Sequence, residues 1–151
     1  MPGKNNRYTF VIEFLGGTYV HQARGESPEL ALRGWLRVTS ADELGSIFGG
    51  SWIQTDAAVD SCGWTSSDQL ANLEVSYEQA SDFSAAQILL SNPQQVTVAG
   101  HQAIIGDFLG PELYVQIQPD LQLLLQGILM DTTVEMHQKF IELATTMIGR
   151  M

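Results

Sequence analysis

The segment from residue 95 to residue 129 limits the possible folds more than any other part of the chain. Four apolar or alternating stretches follow one another here, each separated from the next by a short turn signal. The predicted strands are 95–99, 102–108, 113–118 and 121–129, and the turns fall at Gly100, Gly110-Pro111 and Pro119-Asp120. Connections this short join antiparallel neighbours, because a parallel crossover needs a dozen or more residues. The segment therefore predicts an antiparallel sheet.

The first residues predict a β-hairpin. Residues 8–15 are rich in β-branched and aromatic side chains, and residues 18–23 provide a partner strand. Gly16-Gly17 between them permits the positive φ angles of a tight turn.

Three helix starts are recognisable from their capping residues. Ser27-Pro28-Glu29 predicts a helix over 28–38, with Trp35 on its apolar stripe as a core anchor. Ser40-Ala41-Asp42-Glu43 is a capping box, and it predicts a short helix that ends before Gly49-Gly50. A second capping box at Thr132 to Glu135 predicts a helix over 133–149. Its apolar stripe is predicted to comprise Val134, His137, Ile141, Ala144 and Ile148, widened by Phe140, Leu143 and Met147.

The sequence of the middle of the chain contains loop, strand and ambiguous signals in turn. Residues 51–72 hold serines, aspartates and glycines around two tryptophans, and they predict a long loop or irregular excursion. Residues 73–79 alternate as a half-buried strand with an acidic outer face. Ala85 to Leu90 fits either a strand or a short helix, and Asn92-Pro93 is expected to end it.

These elements together predict an α+β fold. We expect a single domain over residues 1–151, with an antiparallel sheet of about five to seven strands. The helices at 28–38 and 133–149 are expected to pack on that sheet.

Basic residues are distributed unevenly along the chain. Residues 1–37 contain five basic and three acidic residues. Residues 38–138 contain no Lys or Arg and thirteen acidic residues, and residues 139–151 contain two basic residues and one acidic residue. The formal net charge of −10 thus arises in the basic-free segment. Such a segment repels phosphate backbones and attracts cationic surfaces. Because the acids are scattered singly, the charge also fits a role in solubility alone.

The candidate partner-binding residues are the acids of the middle segment. They are Asp56, Asp60, Asp68, Glu74 and Glu78. Their oxygens could also ligate a hard cation, but the ordered spacing of a calcium loop is missing. We therefore predict a binding surface for a basic protein and no metal site.

No motif in the sequence predicts catalysis or cofactor binding. Cys62 has acidic neighbours and no nearby base that would lower its pKa, so a structural thiol is expected. His21, His101 and His137 lack the short spacings of zinc sites. His137 is expected to be a partly buried, hydrogen-bonded histidine.

Two segments resemble known families. Residues 8–37 resemble the strand, strand, helix start of HicB-like antitoxin domains, and Gly25, Glu26, Ser27, Pro28 and Glu29 carry the likeness. That resemblance implies a partial double-stranded-RNA-binding-like fold that neutralises a small toxin. The segment QVTVAGHQAIIGDF is similar to the closing part of Mog1 and PsbP-like domains at Val98, Gly100 and His101. It implies a partner-binding sandwich without a common catalytic residue.

Two functional hypotheses follow. The first is a non-catalytic acidic protein that binds a basic protein, such as an inhibitor, immunity protein or antitoxin-like partner. The alternative is a small-molecule binder or enzyme with a pocket near Trp52 and Trp64. The single cysteine, the polar opening residues and the absence of an 18-residue apolar run predict a cytoplasmic protein outside the membrane. The oligomeric state is not predicted.

Overall fold

The chain divides into two compact units, Met1–Val38 and Thr39–Met151. A computed structural model describes residues 6–14, 17–25, 39–57, 61–79 and 83–149. The helix expected over 28–38, with Trp35, lies outside these residues. One domain over residues 1–151 stays a prediction.

The first unit contains the expected hairpin. Strand β1 (Asn6–Phe14) pairs antiparallel with β2 (Gly17–Gly25), and Phe14 lies opposite Gly17. Val11 of β1 is 63% exposed. The hairpin prediction is therefore confirmed.

The second unit contains a seven-stranded sheet. Its strands are β3 (Trp52–Ala57), β4 (Ser61–Ser66), β5 (Asn72–Gln79), β6 (Ser91–Val98), β7 (His101–Asp107), β8 (Pro111–Gln118) and β9 (Leu121–Ile128). Their spatial order is β3-β4-β5-β9-β8-β7-β6. Every neighbouring pair is antiparallel. The antiparallel α+β class is confirmed, and the last four strands form the predicted meander.

The helix after Ser40 begins at its predicted cap, and the last helix begins one residue later than predicted, with Thr133 as its cap. Helix α1 spans Ala41–Phe48, a 3₁₀ turn at Phe83–Ala85 leads into α2 (Ala86–Leu89), and α3 spans Val134–Ile148. The Ser40 hydroxyl accepts the backbone N–H of Glu43 at 3.3 Å, and Thr133 caps α3 in the same way. The alternative left open at Ala85 to Leu90 is thus a helix. Among the helices described, none is long and apolar enough to cross a bilayer.

The main core lies between one face of the sheet and helices α1 and α3. Its largest fully buried side chains include Leu44 of α1, Phe140 and Leu143 of α3, and Leu73, Leu113, Leu123 and Leu125 of the sheet. Val134 is 76% exposed, so the predicted stripe of α3 was centred wrongly. The buried residues of α3 are Phe140, Leu143, Ala144 and Met147, because only the part of a helix that lies over the sheet is covered by it.

The loop predicted over 51–72 is wrong. Strands β3 and β4 occupy most of it, with Trp52 opposite Ser66 and Gln54 opposite Trp64. Cys62 and Trp64, two residues apart, are buried, so burial alternates along β4 as in a strand with one face against the core. The serines and glycines lie between these positions and at the turns, which is why composition alone predicted a loop.

The helix at Ala86–Leu89 ends before Asn92-Pro93, as expected, but these two residues lie inside β6, an edge strand. Asn92 has a φ of 50°, and the β6–β7 register shifts between Ser91 and Gln94. A bulge at an edge accommodates proline, because no ladder hydrogen bond is required of its nitrogen there.

Candidate binding surface

Acidic side chains lie on the sheet face opposite the main core. Leu73 and Val75 of β5 are buried in the core, so alternation places Glu74 and Glu78 on the other face. Both glutamates are exposed, as the sequence predicted. At about 3.3 Å per residue, their Cα atoms lie about 13 Å apart.

Amide side chains on β9 lie directly beside these carboxylates. Glu74 is paired across the strands with Gln126, and Glu78 with Gln122. The Gln122 amide donates to Glu78 Oε2 at 3.2 Å. Gln126 instead donates to Glu112 Oε1 on β8 at 3.3 Å. The amides thereby hold two of the three carboxylates in fixed orientations.

Glu112 is a buried carboxylate. It is 4% exposed, and Tyr114 donates its hydroxyl to Glu112 Oε2 at 2.9 Å. Burial raises the pKa of the Tyr114 phenol, and the hydrogen bond to Glu112 and the charges of Glu112 and Glu78 raise it further. The phenol therefore stays protonated and remains a donor. We define the carboxylate face as Glu74, Glu78, Glu112, Tyr114, Gln122 and Gln126.

Replacing Tyr114 with phenylalanine should reduce the free energy of unfolding by about 1 to 3 kcal/mol, because Glu112 would lose a donor while staying buried. Urea denaturation followed by circular dichroism measures this change. The double variant Tyr114→Phe, Glu112→Leu should recover part of the loss, since both polar partners are then replaced by apolar groups. Equal stability of Tyr114→Phe and the wild type would contradict the described hydrogen bond.

On this face, a small apolar cluster lies between the pair Glu74–Gln126 and the pair Glu78–Gln122. It comprises Ala86 and Leu90 of the α2 region packed on Ile104, Tyr114 and Leu124 of the sheet, with Phe83 against them. Helix α2 therefore covers the middle strands on this side. Glu74 and Glu78 lie on β5, beside this cover, and stay accessible.

The structure brings together only some of the predicted site residues. Glu74 and Glu78 share the carboxylate face, whereas Asp68 lies in the β4–β5 turn. The backbone of Asp56 pairs with Gly63, and Asp60 lies outside the described residues. Sequence reasoning missed Glu112. The signal available for it was its position two residues before Tyr114, on the same face of one strand.

Asp68 organises its turn. Its carboxylate accepts the Ser66 hydroxyl and the backbone N–H of Leu70. The hydrogen bond from Ser66, followed by that from Leu70, lowers the pKa of Asp68 below its ordinary value of 3.8. The exposed Asp68 carboxylate thus holds the turn together as well as adding a negative charge to the surface.

An NMR titration should show Asp68 ionising below its ordinary pKa of 3.8. A depressed pKa in the folded state means that the turn is stabilised above the unfolded pKa and loses this contribution as the pH falls through the folded one. Ser66→Ala should move the pKa of Asp68 upward, because the hydrogen bond that contributes most to lowering this pKa is removed. An unchanged titration in that variant would show that Ser66 does not set the pKa.

The remaining reactive side chains have structural partners. His137 Nε2 lies 2.7 Å from Asp107 Oδ1 and joins α3 to β7, which confirms a partly buried, hydrogen-bonded histidine. His101 Nδ1 lies 3.1 Å from the Gln116 carbonyl. Cys62 is buried at 8% exposure. Within the described ranges, no group of three or more His, Cys, Asp or Glu is arranged to hold a metal ion.

The two tryptophans of the alternative hypothesis are buried. Trp64 is 2% exposed, and Trp52 is 8% exposed. The Trp52 indole donates to the Gly49 carbonyl at 3.0 Å and packs on Phe48 with ring centroids 5.8 Å apart. Both indoles therefore fill the core.

The carboxylate face offers hydrogen-bond acceptors and negative charge, and it contains neither histidine nor cysteine. Such a surface is suited to binding ammonium or guanidinium groups. Comparisons with protein-family models, with curated proteins and with solved structures found no match to this chain.

Proposed function

We propose that this chain is a non-catalytic acidic protein that binds a basic protein, in the manner of an inhibitor, immunity protein or antitoxin. The observation that carries the proposal is the exposure of Glu74 and Glu78 on a sheet face within a segment that has no Lys or Arg from residue 38 to residue 138. The next cation along the chain, Lys139, is already paired with Glu135 at 3.3 Å. A cationic partner supplies the counter-charges that residues 38–138 lack.

Electrostatics also favour a basic protein over nucleic acids and anionic membranes as the partner. A formal charge of −10 repels nucleic acids and anionic membranes. Attraction to a basic protein acts mainly on the rate of encounter, and salt weakens it as the Debye length falls from about 30 Å at 0.01 M to about 8 Å at 0.15 M.

The test uses a fluorescent oligolysine peptide as a stand-in for a basic surface, with association followed by stopped flow. Glu74→Gln, Glu78→Gln should associate several-fold more slowly at low salt and show a weaker salt dependence. The matched control is Asp42→Asn, Glu142→Gln, which removes the same charge from exposed positions on α1 and α3, beyond the other face of the sheet. That control should retain most of the rate.

Equal slowing by the two double variants would mean that net charge alone attracts the peptide, and the carboxylate face would lose its assigned role. An association rate that changes neither with salt concentration nor in either double variant would contradict the proposed function itself. Affinity capture from native extract at low and high salt adds a natural partner to the comparison. Its binding should be lost at high salt.

A single observation supports the alternative of a small-ligand site near Trp52 and Trp64. Gln54, opposite Trp64 in the β3–β4 ladder, has a buried Nε2 with no hydrogen-bond partner among the described residues. A small polar ligand that accepts from this amide would compensate for the burial. Thermal-shift screening of small carbonyl and carboxylate compounds tests this. A stabilising compound whose effect disappears in Gln54→Leu would favour the alternative.

A further inference from the structure

The large apolar side chains that are exposed in the described part of the second unit all lie at one end of the sheet. They are Ile53, Leu70, Ile88, Leu89, Phe108, Leu109, Ile128, Leu129 and Val134, from 36% exposed at Ile128 to 87% at Ile88. At this end β3, β5, β6 and β8 begin, and β4, β7 and β9 finish. Nothing in the alternation of individual strands requires such a concentration.

Several of these side chains lie on adjoining segments. A Cβ built on Gly110 would lie 2.2 Å from the Gly127 carbonyl oxygen, so the β7–β8 turn touches the end of β9. Ser91 is paired with Asp107, which joins the end of α2 to the same turn. The contact between His137 and Asp107 places the first turn of α3 there too. We define the apolar end as Ile88, Leu89, Phe108, Leu109, Leu129 and Val134.

Leu129 is an unusual residue for its position. It has a φ of 59° and is 71% exposed. Leucine rarely adopts this left-handed conformation, which glycine and asparagine tolerate. Neither burial nor backbone preference in the isolated chain accounts for a leucine here, whereas contact with a partner would.

Carboxylates border the apolar end. Asp68 and Asp131 are exposed, and the Glu135 side chain, which is paired with Lys139, is 81% exposed. Their positions are the β4–β5 turn, the β9–α3 connection and the first turn of α3. An apolar centre with a charged rim is the usual composition of a protein-binding surface.

We infer that the apolar end is the docking surface for a cationic amphipathic segment of the partner protein. The inference rests on the proposed function and adds a second contact surface, beside the carboxylate face, and the apolar part of the partner's chemistry. Charge complementarity selects this occupant, since its apolar side chains would cover Phe108, Leu109 and Leu129 while its cations meet the acidic rim. A second copy of this chain would instead bring another net charge of −10 to the same rim.

The test measures binding of three synthetic helical peptides by fluorescence anisotropy at 0.15 M salt. One contains leucine and lysine in an amphipathic pattern, one replaces the lysines with glutamate, and one replaces the leucines with serine. The full-length wild type is compared with Phe108→Ser, Leu109→Ser and with Leu129→Asn, which suits the left-handed backbone. Val11→Thr on β1, at 63% exposure, is the matched control.

The leucine-lysine peptide should bind wild type and Val11→Thr equally, and each apolar-end variant about 10-fold more weakly. The other two peptides should bind at least about 10-fold more weakly to wild type. In ¹H–¹⁵N spectra, the leucine-lysine peptide should shift resonances of residues 107–111 and 128–135. Circular dichroism and thermal unfolding confirm that the variants are folded.

Unchanged affinity in both apolar-end variants overturns the inference, and so do shifts confined to β5 and β9. The proposed function survives that result if the double variant Glu74→Gln, Glu78→Gln still associates with the oligolysine peptide more slowly than the wild type does. Both fail together if neither set of variants has an effect. Sedimentation showing a wild-type dimer that Leu129→Asn dissociates would assign the apolar end to a second copy and likewise overturn the inference.

Discussion

Replacing Phe140 with alanine should reduce the free energy of unfolding by about 3 to 5 kcal/mol. Phe140 is 0% exposed, and its ring lies edge-on to Phe48 of α1 at a centroid distance of 5.7 Å. Its Cζ would lie 2.9 Å from a Cβ built on Gly127 of β9. The side chain therefore joins α3 to α1 and to the sheet, and its removal leaves a cavity that none of these elements can easily fill.

Urea denaturation followed by circular dichroism measures this loss. The control is Val134→Ala on the same helix, where the side chain is 76% exposed and the change should stay within about 0.5 kcal/mol. If Phe140→Ala kept the wild-type midpoint, the packing of α3 on the sheet would be contradicted.

The contrast between these two residues shows what the sequence could predict about α3. The capping box and the apolar period located the helix correctly, because both signals depend on residues within one or two turns. The centre of the buried stripe depends on which turns lie over the sheet. Val134 precedes that region, and no local pattern distinguishes it from Ile141.

The same distinction applies to residues 51–72. Trp52 and Trp64 are strand residues, but the composition around them is typical of loops. Trp52 packs on Phe48, and Phe48 in turn packs on Phe140, which comes from a distant part of the sequence. Long-range packing thus decided between two locally acceptable structures.

The carboxylate face was predictable only where it depends on one strand. Glu74 and Glu78 followed from alternation along β5. Glu112 joins them because the β8–β9 register places it opposite Gln126, and it is buried with Tyr114 as a hydrogen-bond donor. Register and burial are properties of the assembled sheet, so the strand sequence alone gave no reason to choose this acid.

Replacing Gly110 with alanine should destabilise the second unit by about 3 kcal/mol or more, because the added Cβ would lie 2.2 Å from the Gly127 carbonyl oxygen. The opposing atom belongs to the backbone of β9 and cannot rotate away, so the β7–β8 turn would have to separate from the strand end. Gly100→Ala is the control. Its φ of 84° costs about 1 to 2 kcal/mol, but no atom lies within 4 Å of the added methyl group.

Thermal and urea denaturation of both variants separate steric overlap from backbone strain. If Gly110→Ala were no less stable than Gly100→Ala, the close approach of the two segments would be wrong. That approach also joins Phe108 and Leu109 to Leu129 at the apolar end. A folded Gly110→Ala protein should therefore bind the leucine-lysine peptide more weakly than Gly100→Ala does, because the two segments that carry these residues would be displaced from each other.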